Sequence, residues 1–274
     1  MHILRSIRTV TAALLGGALA ALAAPPLLSA TPAAAPALTP AAMPAAATAS
    51  RDALAVTVAG CVVAQHLFRL PIPCLSVDFT TETALIRPPF ARSEVLLVPT
   101  RAITGIESPA LLKVGVPHYF DAAWAARGLV ARSLPRDPGW TGVGMAINSR
   151  RMRSQDRLHI HIDCLQPAVI AALHRYGPHL PEGWSLFPAR LQSGFYFVRV
   201  VDEAEFARMN PFLDIRDGVP AARRAMDEVT IVVAGAILPD GRRGFYLLAG
   251  EGRGRNPAIG ENLLDHACHI VEES

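Results

Sequence analysis

Residues 158–165 alternate apolar and ionisable side chains, and this alternation constrains the fold more than any other feature of the chain. Side chains two apart in a β-strand lie on the same face. We therefore expect His159, His161 and Asp163 side by side on one face. The apolar residues expected on the opposite face, in the core, are Leu158, Ile160, Ile162 and Cys164. The pattern predicts a strand that is buried on one face and carries three ionisable groups on the other.

The histidine row (His159, His161 and Asp163) indicates a functional site, because adjacent ionisable groups cost desolvation and mutual repulsion unless they are used. One chemistry that fits is nucleophilic. The neutral imidazole of His161 attacks phosphorus, water cleaves the resulting phosphoramidate, and His159 or Asp163 holds the ring in the required tautomer. The second chemistry is metal binding, in which the three side chains are ligands of zinc or manganese.

The metal alternative is similar to the His-x-His-x-Asp-His signature of metallo-β-lactamase-like hydrolases. That signature needs a histidine after the aspartate, where this chain has Cys164. It also needs downstream ligands, and the four histidines available there do not stand in a recognisable ligand spacing. They are His174, His179, His266 and His269. A metal-dependent phosphoesterase with the histidine row as ligands remains the alternative to a covalent mechanism.

The loop before the strand supplies hydrogen-bond donors where a phosphate would need them. Asn148 and Gln155 flank the loop with side-chain amides, and Ser154 adds a hydroxyl group. We expect these three residues to bind oxygens of the substrate. The loop also holds three arginines, of which we expect at least two to be solvated.

The first 50 residues do not have the composition of a folded domain. Arg5 and Arg8 precede an apolar run over residues 10–24, which is typical of an export signal. Residues 29–50 form a Pro/Ala-rich tract, where we expect a disordered linker. Residues 1–28 fit either a signal cleaved at residues 21–23 or a retained single-pass anchor of minimal length. Both alternatives place the rest of the chain outside the cytoplasm.

An exported domain with an even set of four cysteines is expected to form two disulfides. A Cys61–Cys74 bond would close a short loop, and a Cys164–Cys268 bond would tie the C-terminus to the strand of the histidine row. We favour this pairing among the three connectivities that four cysteines allow. Four separately buried thiols remain an alternative, whereas zinc binding is disfavoured because the chain has no CxxC pair.

The order of periodic segments predicts an α+β fold. The predicted strands are 75–79, 83–86, 94–99, 142–148, 157–165, 194–201, 230–238 and 244–249, and the predicted helices are 52–64, 108–112, 119–133, 167–176 and 219–227. We assign residues 51–183 to a catalytic region and residues 184–274 to a C-terminal region. The C-terminal region is either a degenerate copy packed on the first, without its histidines, or a family-specific extension.

Two other functional classes fit the sequence poorly. The formal net charge of +3 over 274 residues is too small to indicate nucleic-acid binding. A non-enzymatic envelope binding protein would explain an export signal and disulfides. It would not explain the histidine row behind a loop of amide and hydroxyl side chains, so we expect an enzyme.

Residues 148–163 resemble the signature of the histidine-triad (HIT) superfamily of nucleotide hydrolases and transferases, which have Asn, then Gly-Gln-Ser/Thr, then His-φ-His-φ-His-φφ. The matching segment of this chain reads SQDRLHIHID over residues 154–163. His161 matches the middle, nucleophilic histidine, and His159 matches the first. Gln155 matches the glutamine that contacts phosphate, and Asn148 matches the asparagine beside it.

Three departures point away from the soluble members of the superfamily. Asp163 stands where the third histidine is found, Ser154 replaces a glycine, and Ala102 replaces an upstream histidine. These departures and the export signal together make the chain similar to one branch, the bacterial CDP-diacylglycerol pyrophosphatases. The motifs that carry this resemblance read LLVPTRAITGIESP at 96–109, SQDRLHIHIDC at 154–164 and DHAC at 265–268.

The resemblance implies a HIT-like antiparallel sheet with flanking helices. It also implies hydrolysis of CDP-diacylglycerol to phosphatidate and CMP through a cytidylyl-His161 intermediate, without a cofactor, with His159 and Asp163 assisting proton transfer. The residues implied to hold non-bridging oxygens are Asn148, Ser154 and Gln155. The lipid substrate favours a single-pass anchor in the bacterial inner membrane, with a periplasmic catalytic domain. With a degenerate second copy, the chain would complete its sheet internally and stay monomeric.

Overall fold

Ten antiparallel strands form one sheet in the computed structural model, which describes residues 51–192, 194–252 and 258–272. The strands are β1 (Ser76–Asp78), β2 (Thr83–Ile86), β3 (Val95–Pro99), β4 (Val143–Ile147), β5 (Ile160–Leu165), β6 (Ser185–Leu186), β7 (Tyr196–Asp202), β8 (Val229–Ile237), β9 (Arg243–Glu251) and β10 (Leu264–Asp265). Their order is β1-β2-β3-β5-β4-β8-β9-β7-β6, and β10 pairs with the end of β5. The strand of the histidine row, β5, therefore lies in the interior of the sheet, between β3 and β4.

Helices flank the sheet, so the predicted α+β class is confirmed. The α-helices are α1 (Ala53–Phe68), α2 (Tyr119–Ala125), α3 (Arg127–Ala131), α4 (Pro167–Tyr176), α5 (Glu203–Arg208), α6 (Pro211–Gly218) and α7 (Pro220–Arg224). Short 3-10 helices span Pro109–Leu112, Gly177–His179, Met226–Glu228, Gly260–Leu263 and His269–Val271.

The main core covers one face of the sheet and is built with residues of α2, α3 and α5 to α7. The alternating residues of the strand contribute to it as the sequence predicts. These residues are Leu158, Ile160, Ile162 and Cys164, and each is at most 1% exposed. Their burial directs the neighbouring side chains of β5 to the other face.

The opposite face carries two smaller apolar clusters. One contains Val58 of α1 and Val98 of β3, and the other contains Val169 of α4 and Val232 of β8. In the sheet register, His161 lies between Leu96 of β3, which packs against the first cluster, and Ala146 of β4, which belongs to the second. The histidine row therefore lies between two apolar clusters that fix the strands on either side.

Several elements differ from the sequence-based prediction for local reasons. The helix predicted at 119–133 is two helices, α2 and α3, which end and begin around Ala126. The helix predicted at 219–227 is divided into α7 and a 3-10 helix, because Ala225 between them is extended; α6 ends before it, since Pro220 cannot continue the hydrogen bonding of α6. The strand predicted from 157 begins at Ile160, since the amide of Leu158 bonds outside the ladder, to the carbonyl of Ile103.

Two disulfides join the four cysteines in the pairing that the sequence favours. Cys61 of α1 is bonded to Cys74, and Cys164 of β5 is bonded to Cys268, 104 residues later. The second bond holds the C-terminal segment against the end of the strand that carries the histidine row. It therefore places residues 265–268 beside that row.

The described residues all belong to one structural unit. Strands β4 and β8 pair along four residues, so the strands of the C-terminal region extend the same sheet. The boundary at 183/184, the HIT-like character of the sheet and the degenerate second copy stay predictions.

The predicted localisation is wrong. Among residues 51–192, 194–252 and 258–272, no helix is both long enough and apolar enough to cross a membrane, which contradicts a single-pass inner-membrane protein with a periplasmic domain. The longest helix there, α1, has 16 residues and spans about 24 Å, whereas a bilayer core is about 30 Å thick. The anchor predicted at 1–28 and the linker predicted at 29–50 lie outside the described residues.

Candidate active site

The ring of His161 is held by a carboxylate from the neighbouring strand. Glu94 directly precedes β3, and its Oε1 accepts a hydrogen bond of 2.6 Å from Nδ1 of His161. Because Nδ1 carries the proton, Nε2 of a neutral ring carries the lone pair. Nε2 is buried and has no hydrogen-bond partner among the described residues. A buried nitrogen without a partner is rare unless it is used in binding or chemistry.

The ring of His159 lies next to that of His161, with 4.9 Å between the ring centroids. Its Nδ1 donates a hydrogen bond of 2.6 Å to the carbonyl of Arg157, which leaves Nε2 as an acceptor. Burial, assisted by the neighbouring His161, lowers the pKa of His159 to about 4. His159 is therefore neutral at physiological pH.

The third member of the row, Asp163, is fully buried and has hydrogen-bond partners on both carboxylate oxygens. Oδ1 accepts hydrogen bonds from the hydroxyl of Ser93 at 2.7 Å and from the amide of Cys164 at 2.9 Å. Oδ2 accepts a hydrogen bond of 2.9 Å from Nδ1 of His266. The carboxylate of Asp163 therefore orients a histidine from the C-terminal segment.

His266 lies between two carboxylates. Its Nδ1 contacts Asp163, and its Nε2 is 3.4 Å from Oε1 of Glu261. The hydrogen bond to Asp163 and then that to Glu261 raise the pKa of His266 to about 10, against the opposing effect of burial. His266 is therefore an imidazolium cation at neutral pH, and 45% of its side chain is exposed.

Glu261 connects the two histidines. Its Oε1 is 3.4 Å from Nδ1 of His161 as well as from Nε2 of His266. Burial alone would raise the pKa of Glu261, but the hydrogen bond from His266 and the nearby His161 lower it to about 2. Asn148 holds this carboxylate in place, because its Nδ2 donates to Oε2 at 2.7 Å and its Oδ1 accepts from the Glu261 amide at 3.1 Å.

The three residues predicted to bind substrate occupy different positions. The amide of Asn148 is buried and bonded to Glu261, as described above. Gln155 accepts a hydrogen bond from the amide of Leu54, in the first turn of α1, and donates one to the carbonyl of Ser154. Ser154 is exposed. Contact of the three residues with substrate stays a prediction.

The buried arginines near the row are engaged by protein groups. Arg153 forms two hydrogen bonds to Glu107, at 2.7 and 2.8 Å, and two to Asp156, at 3.0 and 3.1 Å. Arg157 donates to the carbonyls of Pro99 and Thr100. The other two arginines of the loop, at 150 and 151, are exposed. Arg157 thus holds the loop to the end of β3, and Arg153 joins the loop to Glu107.

The described residues contain two groups of three side chains whose ligand atoms lie within 4.8 Å of one another. One group is Asp163, Cys164 and Cys268, in which both sulfurs belong to a disulfide and are not thiolates. The other is Glu94, Glu261 and His266. Neither group includes His159 or His161, so the histidine row does not form the ligand set that the metal alternative requires.

Four residues of the site were not assigned a role from the sequence. They are Ser93, Glu94, Glu261 and His266, of which His266 was considered only as a ligand in the metal alternative. Glu94 lies at the start of a predicted buried strand, but its position beside the row depends on which strands pair. His266 is the residue that the sequence could have revealed, because a Cys164–Cys268 bond places it close to Asp163.

Known proteins of one family match most of the chain. A family model described as CDP-diacylglycerol pyrophosphatase matches residues 49–272. A protein of Mycobacterium leprae (strain TN), named "Probable CDP-diacylglycerol pyrophosphatase", is 36% identical over 200 residues, which is 73% of this chain and 73% of that protein. The CDP-diacylglycerol pyrophosphatase of Yersinia pestis is 34% identical over 203 residues, covering 73% and 77% of the two chains. That of Mycobacterium tuberculosis (strain ATCC 25177 / H37Ra) is 36% identical over 200 residues, covering 73% and 75%.

Proposed function

Since the chain belongs to the CDP-diacylglycerol pyrophosphatase family, we propose that it hydrolyses CDP-diacylglycerol to phosphatidate and CMP through a covalent cytidylyl-His161 intermediate. The observation that carries the covalent mechanism is the state of His161. Glu94 holds the proton on Nδ1, and Nε2 is left without a hydrogen-bond partner among the described residues. An imidazole in this state is a nucleophile at neutral pH.

In the first step, Nε2 of His161 forms a bond to the cytidylyl phosphorus. The bond between that phosphorus and the bridging oxygen breaks, and its electron pair leaves with phosphatidate. The ring becomes positively charged, and the carboxylate of Glu94 at Nδ1 stabilises this charge. Because Nε2 is buried, the groups that cover it must move when the phosphate binds.

In the second step, water attacks the cytidylyl phosphorus. A P–O bond forms, the P–N bond breaks, and its electron pair returns to Nε2 of His161. His159 is neutral and its Nε2 is an acceptor, so it can orient this water by a hydrogen bond. The proton that the water loses passes to Nε2 of His161 and then to solvent, which restores the enzyme.

The loop residues would assist through their remaining hydrogen-bond capacity. The Nε2 of Gln155 carries two hydrogens, and only one is used in the hydrogen bond to Ser154. The second hydrogen and the exposed hydroxyl of Ser154 are available to non-bridging oxygens of the phosphates. Asn148 acts through Glu261, which makes it a positioning residue in this mechanism.

Replacement of His161 and trapping of the intermediate test the covalent step. The wild-type protein, quenched in alkaline denaturant during turnover because the P–N bond is labile in acid, should yield a peptide of residues 157–165 that is heavier by one cytidylyl group. His161→Ala should give no such peptide and no CMP, whereas His174→Ala, an exposed histidine of α4, should behave like wild type. In H₂¹⁸O, the label should enter CMP and not phosphatidate. CMP release by the His161→Ala protein would rule out His161 as the nucleophile.

The metal-dependent alternative is tested by exhaustive chelation. The covalent mechanism requires no divalent ion, so activity should survive chelation. Loss of activity that zinc or manganese restores, together with absence of the cytidylylated peptide, would favour a metallohydrolase. In both mechanisms, the molecule that the protein binds is its substrate, the lipid-linked nucleotide.

We also propose that the chain acts as a monomer. The pairing of β4 with β8 joins the strands of both regions into one ten-stranded sheet among the described residues, so β4 does not need a strand of a second copy beside it. A molar mass measured by light scattering with detergent correction should equal that of one chain. A dimer that persists on dilution would contradict this proposal.

A further inference from the structure

We propose that His266 contacts the substrate as a fixed imidazolium cation and stabilises the phosphate that leaves when His161 attacks. This role deepens the proposed function and depends on it. His266 is then a catalytic residue supplied by the C-terminal segment, and Asp163 and Glu261 are the residues that position it.

The charge of the site requires a cation. Three carboxylates, from Glu94, Asp163 and Glu261, surround the imidazoles of His161 and His266. The pyrophosphate of the substrate brings two further negative charges, and the leaving phosphate gains a third as the bond breaks. Negative charges that lie around the same two imidazole rings repel one another strongly in a partly buried site. Without a cation, the carboxylates would oppose both binding and departure of the phosphate.

The buried arginines near the row are poorly placed to supply this charge. The guanidinium of Arg153 is neutralised by two carboxylates, those of Glu107 and Asp156. The guanidinium of Arg157 is directed at the carbonyls of Pro99 and Thr100. His266, in contrast, lies beside the ring of His161, because Oε1 of Glu261 is 3.4 Å from Nε2 of His266 and 3.4 Å from Nδ1 of His161.

The two edges of the His266 ring differ in the strength of their contacts. Nδ1 donates a hydrogen bond of 2.9 Å to Asp163, which is fully buried and itself fixed by Ser93. Nε2 is 3.4 Å from Glu261, a long contact, and nearly half of the His266 side chain is exposed. The ring is thus anchored at Nδ1, and its Nε2–H group can exchange Glu261 for a phosphate oxygen.

Four titratable groups face His266, and three of them are carboxylates, which favour its protonated form. Asp163 and His161 belong to β5, Glu94 precedes β3, and Glu261 lies in the 3-10 helix Gly260–Leu263. The hydrogen bonds to Asp163 and Glu261, with the nearby charge of Glu94, raise the pKa of His266 to about 10, so the ring is protonated when the substrate binds.

The chemical step is balanced without proton transfer from His266. The bond from Nε2 of His161 to the cytidylyl phosphorus forms as the bond to the bridging oxygen breaks. The electron pair of the broken bond stays on that oxygen, which becomes a terminal oxygen of phosphatidate. Nε2–H of His266 donates a hydrogen bond to this oxygen as its charge grows, which is electrostatic stabilisation of the transition state.

A comparison of two leaving groups tests this role. CDP-diacylglycerol releases a phosphate dianion, whereas the p-nitrophenyl ester of CMP releases a phenolate whose charge is spread over the ring. His266→Gln should lower kcat on the lipid by about 100- to 1,000-fold and on the aryl ester by about tenfold or less. His266→Lys, which restores a cation, should recover at least tenfold of the loss on the lipid.

His269→Gln is the matched control, because His269 lies on the same segment but bonds to Asp265 and is exposed. It should retain wild-type rates on both substrates. The aryl-ester activity of His266→Gln also shows that the variant is folded. Equal losses on both substrates, or no recovery with lysine, would overturn the role of His266. Failure of the wild-type protein to release CMP from the lipid, or to form the cytidylylated peptide, would instead refute the proposed function.

Discussion

Glu94 and His161 are 67 positions apart in the chain, yet Oε1 of the glutamate lies 2.6 Å from Nδ1 of the histidine. The contact exists because β3 and β5 are neighbours in the sheet, so that Leu96 is paired with His161 and Glu94 lies toward Asp163. This carboxylate decides which nitrogen of His161 carries the proton, and hence which nitrogen can attack.

Glu94→Gln should lower kcat by about 10- to 100-fold with little change in KM. The amide oxygen of glutamine can still accept the hydrogen bond from Nδ1, so the tautomer is kept. The charge that stabilises the cytidylylated ring is lost. Glu272→Gln, which removes a carboxylate from the surface pair with Arg92, is the control and should leave kcat unchanged. Steady-state kinetics measure both, and an unchanged kcat in Glu94→Gln would contradict the role of Glu94.

The stability of the protein should depend on pH through His266 and Glu261. The pKa of His266 rises from 6.5 to about 10 on folding, so its stabilising contribution is complete below about pH 6.5 and is lost as the pH rises through about 10. The pKa of Glu261 falls from 4.5 to about 2, so its contribution is complete above about pH 4.5 and is lost as the pH falls through about 2. Both contributions are therefore complete between about pH 4.5 and 6.5.

Urea unfolding of wild type and His266→Gln at several pH values measures this dependence. The difference between their free energies of unfolding should be largest below pH 6.5 and shrink toward pH 10. A difference for His266→Gln that is constant with pH would show that the ring is not charged in the folded protein.

Gly105→Ala should destabilise the protein by about 1–3 kcal/mol. A Cβ at this position would lie 1.9 Å from Nη1 of Arg153. The end of an arginine can usually move, but this one is held by Glu107 and Asp156. Gly60→Ala in α1 is the matched control, because a Cβ there meets nothing within 4 Å, and it should be neutral or stabilising. Equal free energies of unfolding for the two variants would contradict a steric clash between a Cβ at position 105 and Arg153.

The sequence predicts the local part of the site well and the long-range part poorly. The alternation at 158–165 places His159, His161 and Asp163 on one face, since the core side of a strand is decided by its own apolar residues. The partners of the row come from other strands and from the C-terminal segment. Glu94, Glu261 and His266 depend on strand order and on a disulfide, which a local pattern does not encode. The hydrogen bond between Asp163 and His266 could not be expected from a local pattern for the same reason, because the two residues are 103 positions apart.

The two disulfides should differ in their effect on activity. Cys268 is two residues after His266 and is bonded to Cys164, the neighbour of Asp163, so this bond holds the imidazolium at the row. The double variant Cys164→Ala/Cys268→Ala should lose about 4–5 kcal/mol of stability and much of its kcat on CDP-diacylglycerol.

Cys61→Ala/Cys74→Ala removes the bond that joins α1 to residue 74, and the shorter loop should cost about 3 kcal/mol. This variant should keep its kcat, because neither cysteine contacts the site residues described above. Both variants are assayed at a temperature where circular dichroism shows them folded. Because His266 acts on the leaving group, the Cys164/Cys268 variant should lose more activity on the lipid than on the aryl ester. Equal kcat values for the two double variants would mean that other contacts suffice to hold His266 in place.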